Sequence, residues 1–383
     1  MSSRELELVH HIWASGQVAF QPFRNYWFSL GMVDPAAMHL VIANAAMHRK
    51  TLRTIPSPED DIVELTHVQA AMTSVNQRIR NVNQKVTDEM LGAILGVRRA
   101  MLRQIYFIAL RFDHFTRHFA GFQIMLDLRG GLLSIESATY IRLSLFWIEL
   151  NACAAQDTIP RFSPPFHVIK NPYSAVHISR GLQHRDKALQ VSGVPSLLSS
   201  VEILDAFTGL SFLIAALTVE PPLRIQWDDD NFPGFGFYPT LHRLLTIQAA
   251  AKGKPPADAV QEMCRLGAIF FLAEVRRKFG IAPVVTNVQA TKLHNLLDGN
   301  EMLWVEELDS VRTWTIIMAG CAADNEADRA WAVKALLRSR VSLVYRNWDE
   351  VMDVISEMWW IDEVFQLKSQ DLLSEYLKLF IAP

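Results

Sequence analysis

Between residues 257 and 279 the chain places Val260, Met263, Cys264, Gly267, Ala268, Phe271, Leu272, Val275 and Phe279 on one continuous stripe. The spacing follows the 3.6-residue period of a helix, and a half-buried strand, with its period of 2, does not produce it. The segment closes with Arg276-Arg277-Lys278, then Gly280 and Pro283. Three cations oppose the negative end of a helix, the glycine suits a left-handed cap, and the proline stops continuation. Helical spacing recurs along the chain and strand-type alternation does not, so the fold class expected is all-α, a multi-helix globular bundle.

Helix boundaries can be read from capping chemistry. Asp34-Pro35 predicts a helix that runs to about Leu52, with Asp34 capping free amides and Pro35 in the first turn, where a missing N–H costs nothing. Ser57-Pro58-Glu59-Asp60-Asp61 sets three acids at the positive end of the next helix, whose Ile62, Leu65, Val68 and Met72 are expected to point inward. Further helices are predicted over 88–110, 113–127, 135–154, 197–219, 311–323, 326–344, 348–358 and 370–380. Two segments interrupt the pattern: 156–174, with Pro160, Pro164, Pro165 and Pro172, and 220–240, with Pro221, Pro222, Pro233 and Pro239. Loops of this length are commonly functional or mobile. Both halves flanking the first are equally apolar, so one domain over residues 1–383 is expected.

Half of the 383 residues are apolar, enough for one large core or two fused ones, since single cores stop growing at roughly 250–300 residues. Ten Trp and 21 Phe point to an aromatic interior or an oligomeric face. The most apolar stretch, 206–219, is interrupted by Thr208 and Ser211 and closed by Glu220-Pro221-Pro222. It falls short of the roughly 20 residues a bilayer requires and reads as a buried core helix, so no membrane partner is expected. The first residues are acidic where a signal peptide would be basic, and three scattered cysteines, Cys153, Cys264 and Cys321, read as reduced thiols of the cytosol or nucleus. A formal net charge of −3 offers no field for phosphate backbones, and direct nucleic-acid binding by this chain is not expected.

Candidate chemistry is sparse. Asp228-Asp229-Asp230 resembles carboxylates that hold Mg²⁺ against a prenyl diphosphate, but Trp227 and Asn231-Phe232-Pro233-Gly234 place the run in a turn, and no second ligand set accompanies it. His114 and His118 have the spacing of zinc ligands on one helix, yet Phe115 stands where the general-base Glu is needed. His10-His11 and the pair His39 and His48 lack Cys or acids at ligand spacing. Arg98, Arg99, Arg103, Arg111 and Arg117 read as a solvated helix face, without the aromatic interleaving of a nucleic-acid surface. Gly234-Phe235-Gly236 and Gly253-Lys254 lack the rest of a nucleotide loop, and no cysteine has a nearby His to activate it. No enzyme activity, metal or cofactor is therefore expected. A helical terpenoid-cyclase-type enzyme and a structural interaction module stand as alternatives.

Three blocks resemble the regulatory domain of fungal binuclear zinc-cluster transcription factors. The first is Phe20-Gln21-Pro22-Phe23 with Trp27, then Asp34-Pro35 opening an Ala-rich helix that reaches His48. The second, the most specific, is His118-Phe119-Ala120-Gly121 leading to Leu128-Arg129-Gly130-Gly131-Leu132, then Phe146-Trp147-Ile148 and Pro160-Arg161-Phe162. The third runs from Trp314 through Ala319-Gly320-Cys321-Ala322, Asp328-Arg329 and Trp331 to Trp348 and Trp359-Trp360. The resemblance covers residues 20–363. It implies an α-helical domain in the nucleus, with cytoplasmic residence as a further expectation, that modulates transcription by RNA polymerase II. The partners it implies are a small-molecule effector, the transcription machinery or a DNA-binding protein, and a second copy of the chain. The family's DNA-binding module needs six cysteines for two zinc ions, and the three here do not supply it. The signature residues Trp27, Asp34, Pro35, His48, His118, Arg129, Gly130, Gly131, Trp147, Pro160, Trp331 and Trp348 also have structural readings, as caps, turns and packing anchors. A ligand pocket is expected between helices, lined by aromatics and bordered by one of the proline-rich loops, its residues unassigned.

Overall fold

Every regular element among the described residues is an α or 3-10 helix, as the periodicity predicts. The computed structural model describes residues 2–14, 28–51, 58–80, 86–95, 112–135, 137–193, 200–227, 229, 232–247, 257–281, 284–339 and 348–381. The chain divides into two compact units, Met1–Glu149 with Pro165–Val168, and Leu150–Pro164 with Ile169–Pro383.

In the first unit, helix Pro35–Thr51 packs on Ser3–Ala14 and on Pro58–Arg80. Asp34 caps it as expected, its Oδ1 accepting from the amides of Ala36 at 2.8 Å and Ala37 at 3.0 Å. Leu8, Ile42, Ala45 and Ala46 form the apolar contact, with Val9, Met38 and Val63 against them. The expected inward face of Pro58–Arg80 is corrected. Ile62 and Leu65 stay 65% and 60% exposed, while Asp60, Glu64, His67, Ala71 and Val75 are buried. Both sets have helical spacing, and the partners choose between them. Arg4, Arg49 and Lys50 reach Asp60 and Glu64, so the acidic face turns inward because cations wait there.

Helix Phe112–Arg129 ends at Gly130 and Gly131, with φ of 114° and 77°, a region that L side chains rarely enter. The Gly131 amide donates to the Leu126 carbonyl at 2.8 Å and that of Gly130 to Asp127 at 3.0 Å, which closes the orphan carbonyls of the helix. The next helix was expected from residue 135 but is Thr139–Gln156. Ser134 donates twice to the Gly131 carbonyl, from its amide at 3.1 Å and its hydroxyl at 2.7 Å, and this holds Leu132–Ile135 in a tighter 3-10 turn.

The second unit is organised around helix Ala257–Lys278, which touches Val201–Thr218, Tyr238–Ile247, Asn287–Asp298, Asp309–Ala322 and Asp362–Ile381. Its burial exceeds the single stripe expected, since every residue from Met263 to Arg276 is buried, including Leu266, Ile269, Phe270 and Ala273. Val201–Thr218, long and apolar enough by composition to span a bilayer, packs instead on Ala175–Ser192 and Tyr238–Ile247. Beside it Trp314 donates its indole N–H to the Trp359 carbonyl at 2.8 Å. Trp359 in turn donates to Ser211 Oγ at 3.0 Å with its ring 4.1 Å from Phe207.

Helices Ala175–Ser192 and Asn287–Asp298 were not expected, and the interrupted segment 220–240 ends earlier, with Phe232–Gly236 and Tyr238–Ile247 already helical. The closing helix, Asp362–Ile381, begins two turns before the predicted residue 370. The helix predicted over 88–110 is present over 88–95, and the remainder, like 340–344 of the 326–344 prediction, lies outside the described residues.

Gly267 lets the central helix approach Asp309–Ala322 closely: a Cβ there would stand 2.5 Å from Trp314 Cζ3 and 2.8 Å from Thr315 Oγ1. Gly267→Ala is expected to destabilise the protein by about 1–3 kcal/mol, because the buried indole cannot retreat without disturbing its bond to Trp359. Chemical denaturation that shows Gly267→Ala as stable as the parent would refute the close approach.

Candidate functional site

Residues 263–276 of Ala257–Lys278 are buried on all sides and have no solvent into which polar side chains can point, so the charges on this helix define the polar interior of the second unit. Arg265, on its first half, is fully buried and forms a two-pronged pair with Asp157, with both N–O distances 2.8 Å. Glu262 adds a second acceptor at 2.6 Å, and Lys292 of Asn287–Asp298 reaches Asp157 Oδ2 at 2.5 Å. Asp157 follows helix Thr139–Gln156 with φ of 49°, a left-handed position that glycine fills more easily. The carboxylate repays that backbone cost by tying three helices together. Burial pushes the Asp157 carboxyl up, but the Arg265 guanidinium and the Lys292 ammonium overcome this and hold it below the usual carboxylate range.

Toward the other end, buried Glu274 pairs with Arg277 and with Lys368 of the closing helix. Arg277 also reaches Asp324 at 2.5 Å and the carbonyls of Ala322 at 3.0 Å and Val284 at 2.9 Å, while Asp324 accepts from the Thr286 amide at 2.6 Å. With Thr286 Oγ1 donating to the Ala322 carbonyl at 2.9 Å and Lys368 to that of Cys321 at 3.3 Å, the last two carbonyls of Asp309–Ala322 find partners. Arg276, one of the three cations expected to oppose the negative helix end, is 4% exposed and donates to Asn151 Oδ1, with the Tyr238 phenol as its other polar neighbour.

Tyr238 leads into an aromatic group beside the 220–240 segment. Its ring lies 5.0 Å from Phe237, which is 5.9 Å from Phe279, and Phe279 meets Phe232 at 5.6 Å and Trp227 at 4.9 Å. Lys278 sits over Trp227 at 5.8 Å, and the Trp227 indole donates to Glu363 at 2.5 Å. Tyr173, from the end of the 156–174 segment, donates to the Gly236 carbonyl at 2.8 Å, and burial raises its phenol well above the ordinary value.

The residues named from sequence do not converge. Pro35 opens its helix behind Asp34, which also pairs with Arg78. Arg129 pairs with Asp88 at 2.5 Å, and Gly130 and Gly131 are a helix stop. Trp147 is half-buried on Thr139–Gln156, and Pro160 is buried in the loop after it. Trp331 stacks on His294 at 3.9 Å, and Trp348 approaches Tyr376 at 6.0 Å. His48, His114, His118 and Arg117 lie on helices, but their side chains are outside the described residues. Trp27, Arg98, Arg99, Arg103, Arg111, Asp228, Asp230 and Gly253-Lys254 are outside them altogether. Asp229 accepts from the Phe232 amide at 3.1 Å, which makes it a cap for Phe232–Gly236 in the turn expected for it. No cluster of three or more His, Cys, Asp or Glu is placed to hold a metal ion among the described residues. The cysteines are free, and burial pushes the Cys264 and Cys321 thiols up to about 12, so at neutral pH they are protonated and poor nucleophiles.

One cluster has no counterpart in the sequence reading. In the first unit His39 Nδ1 and His67 Nδ1 lie 2.8 Å apart, and Glu5 Oε1 is 3.2 Å from His67 Nε2. Only one proton fits between the two Nδ1 atoms, so at least one ring must be neutral. Glu5, His39 and His67 come from three helices, and no spacing within one helix could have signalled the contact. No protein-family model matches the chain, and comparison with curated proteins and with solved structures gives no significant match.

Two outcomes follow from these clusters. Removing one partner of a buried ion pair leaves the other uncompensated, so Asp157→Asn should lose about 3–5 kcal/mol. The folded-state value of Asp157 is depressed, so its stabilisation is full above the ordinary carboxyl value and is lost as pH falls through the lowered one. Acid unfolding should therefore lose a component in the variant, and identical acid profiles would count against the network. For His67 the sign is the same, because there too the unfolded chain binds more protons than the folded one. Burial first, and His39 second, lower its value, so the neutral form is favoured on folding and stability declines as pH falls from the ordinary imidazole value toward the lowered one. The protection of Ser3–Ala14 amides from hydrogen exchange, relative to their intrinsic rates, should fall below about pH 6.5 in the parent, and His67→Gln should abolish that fall; protection indifferent to pH in the parent rejects this coupling.

Proposed function

We propose that the chain acts as a helical regulatory domain of the fungal zinc-cluster transcription-factor type, modulating RNA polymerase II transcription in the nucleus through protein or small-molecule contacts. The observation that carries the reading is the second sequence block, from His118 through Arg129-Gly130-Gly131 and Phe146-Trp147-Ile148 to Pro160-Arg161-Phe162. Those residues fall on a helix, its glycine stop, a second helix and the proline-bearing loop after it. The all-α architecture and the buried, paired or protonated character of the interior groups support a domain that binds and transmits over one that breaks bonds. DNA contact on this reading belongs to a separate element, in keeping with the formal net charge of −3.

Fusion of the full chain to a heterologous DNA-binding domain, with a reporter behind its operator, measures the activity directly. The fusion is expected to raise or lower reporter output several-fold relative to the DNA-binding domain alone. Reporter output unchanged in every growth condition and carbon or nitrogen source would remove the proposal.

A further inference from the structure

Two arginines on the central helix are buried to nearly the same degree and are treated very differently. Arg265, fully buried, is met by two carboxylates, Asp157 and Glu262. Arg276, 4% exposed, has no ion pair with an acid among the described residues, and its polar neighbours there, Asn151 and Tyr238, are neutral. Its Nε–H is buried without an acceptor. A guanidinium keeps its charge at any physiological pH, so Arg276 cannot escape burial by losing its proton. The helix end does not compensate it either. The carbonyls of Val275, Arg276 and Arg277 already accept from the amides of Phe279, Ile281 and Gly280. Neighbouring Arg277 adds like charge and is itself committed to Glu274 and Asp324. A buried cation with neutral partners and an unused donor is an unfavourable arrangement for a purely structural residue, and buried polar groups in folded proteins are otherwise almost always satisfied.

The surroundings of this charge say what would complement it. Asn151 and Tyr238 are the residues at which the two proline-rich segments meet the helices: Asn151 lies near the end of Thr139–Gln156, before 156–174, and Tyr238 opens Tyr238–Ile247, at the close of 220–240. Asn151 is half-buried, which gives the polar side of the site a way to solvent. On the other side Tyr238 adjoins Phe237, Phe279 and, beyond them, Phe232 and Trp227. One uncompensated positive charge matches one negative charge. A phosphate dianion would bring a second charge, and Arg277 and Lys368, the nearby cations already described, are both held by Glu274.

We propose that Arg276, with Asn151 and Tyr238, forms the anion-recognising end of a small-molecule site that takes a monocarboxylate carrying an apolar, preferably aromatic, body against the Phe237–Phe279 cluster. The guanidinium Nε–H and an NH₂ group present the two parallel donors that suit a carboxylate, and the Asn151 amide and Tyr238 hydroxyl supply neutral polar neighbours. This assigns a ligand class to the regulatory reading above and rests on it for biological meaning, although the binding itself does not.

The test uses the full chain and three pairs of probes at fixed ionic strength and pH 7: benzoate against benzamide, phenylacetate against phenylacetamide, and inorganic phosphate against chloride. Thermal shift and titration calorimetry should show saturable binding of the carboxylates, no binding of the isosteric amides, and weaker binding of phosphate. Arg276→Met should weaken carboxylate binding by at least about tenfold, the loss of one charge-assisted contact, while leaving the melting temperature equal to the parent's or higher, because an uncompensated charge has been removed. Asn151→Asp places a carboxylate of the protein beside the guanidinium; it should raise the melting temperature and abolish the response to added carboxylate. Equal response to acids and amides, an Arg276→Met variant that still binds carboxylate, or one that loses stability as Arg265→Met should would each overturn the site. The reporter fusion separates the two readings. Carboxylate binding that depends on Arg276 together with a silent reporter leaves the site standing and removes the transcriptional role, and an active reporter with no carboxylate binding does the reverse.

Discussion

A stretch of helix without a solvent-facing side leaves its charges to be answered from within the protein, and residues 263–276 of Ala257–Lys278 are such a stretch, with two of its three charges answered by opposite ones. Arg265 is answered by an aspartate that accepts a left-handed backbone to be there, and Glu274 by a lysine from the closing helix. Each answer fixes the azimuth and axial position of a neighbouring helix, because a buried pair broken by a small slide leaves two charges in a low-dielectric interior. Apolar packing alone would tolerate such slides at lower cost. The ion pairs thus set the register of the bundle, and Gly267 sets how near one of its members can come.

The first unit uses the same principle where the sequence advertises the opposite. Pro58–Arg80 carries two candidate inward faces, and on the one richer in large apolar residues Ile62 and Leu65 are exposed while Val68 and Met72 are half-buried. Asp60 is held by Arg4 and Arg49, Glu64 by Lys50, and His67 by Glu5 and His39, so charge from two other helices, Ser3–Ala14 and Pro35–Thr51, selects the rotation of the third. The acidic run at Glu59-Asp60-Asp61 also favours the positive end of its own helix, but the full burial of Asp60 shows that long-range pairing dominates at that residue.

The class of fold was legible because helical periodicity is local and repeated, and the caps at Asp34, Gly130-Gly131 and Gly280 were legible because each acts on its own turn. Ala175–Ser192 escaped notice because its exposed side, Arg180, Arg185, Asp186 and Lys187, leaves a thin apolar face, although the Ser174 capping box and Gly193 mark its two ends. The inward rotation of Pro58–Arg80 and the pairs Asp157–Arg265 and His39–His67 were not legible for another reason. Each joins residues from different helices, and one chain read in order holds no record of which helices become neighbours. The burial of Arg276 belongs with these: three successive cations at a helix end look solvated until the loops on either side of them are folded.

Val201–Thr218 brings a problem of timing. It is the most apolar of the described helices and, by length and composition, acceptable to a bilayer. During synthesis it leaves the ribosome after Ala175–Ser192 and before Tyr238–Ile247 and Ala257–Lys278, three of the helices that cover it in the folded unit. For the interval in which only the earlier helix exists, one flank is sheltered and the other is bare, at the stage when nascent apolar segments are sorted between folding, chaperone capture and membrane delivery. The amphipathic helix that precedes it therefore serves the nascent chain as well as the finished fold, by giving the greasiest segment a first partner before any competitor can take it.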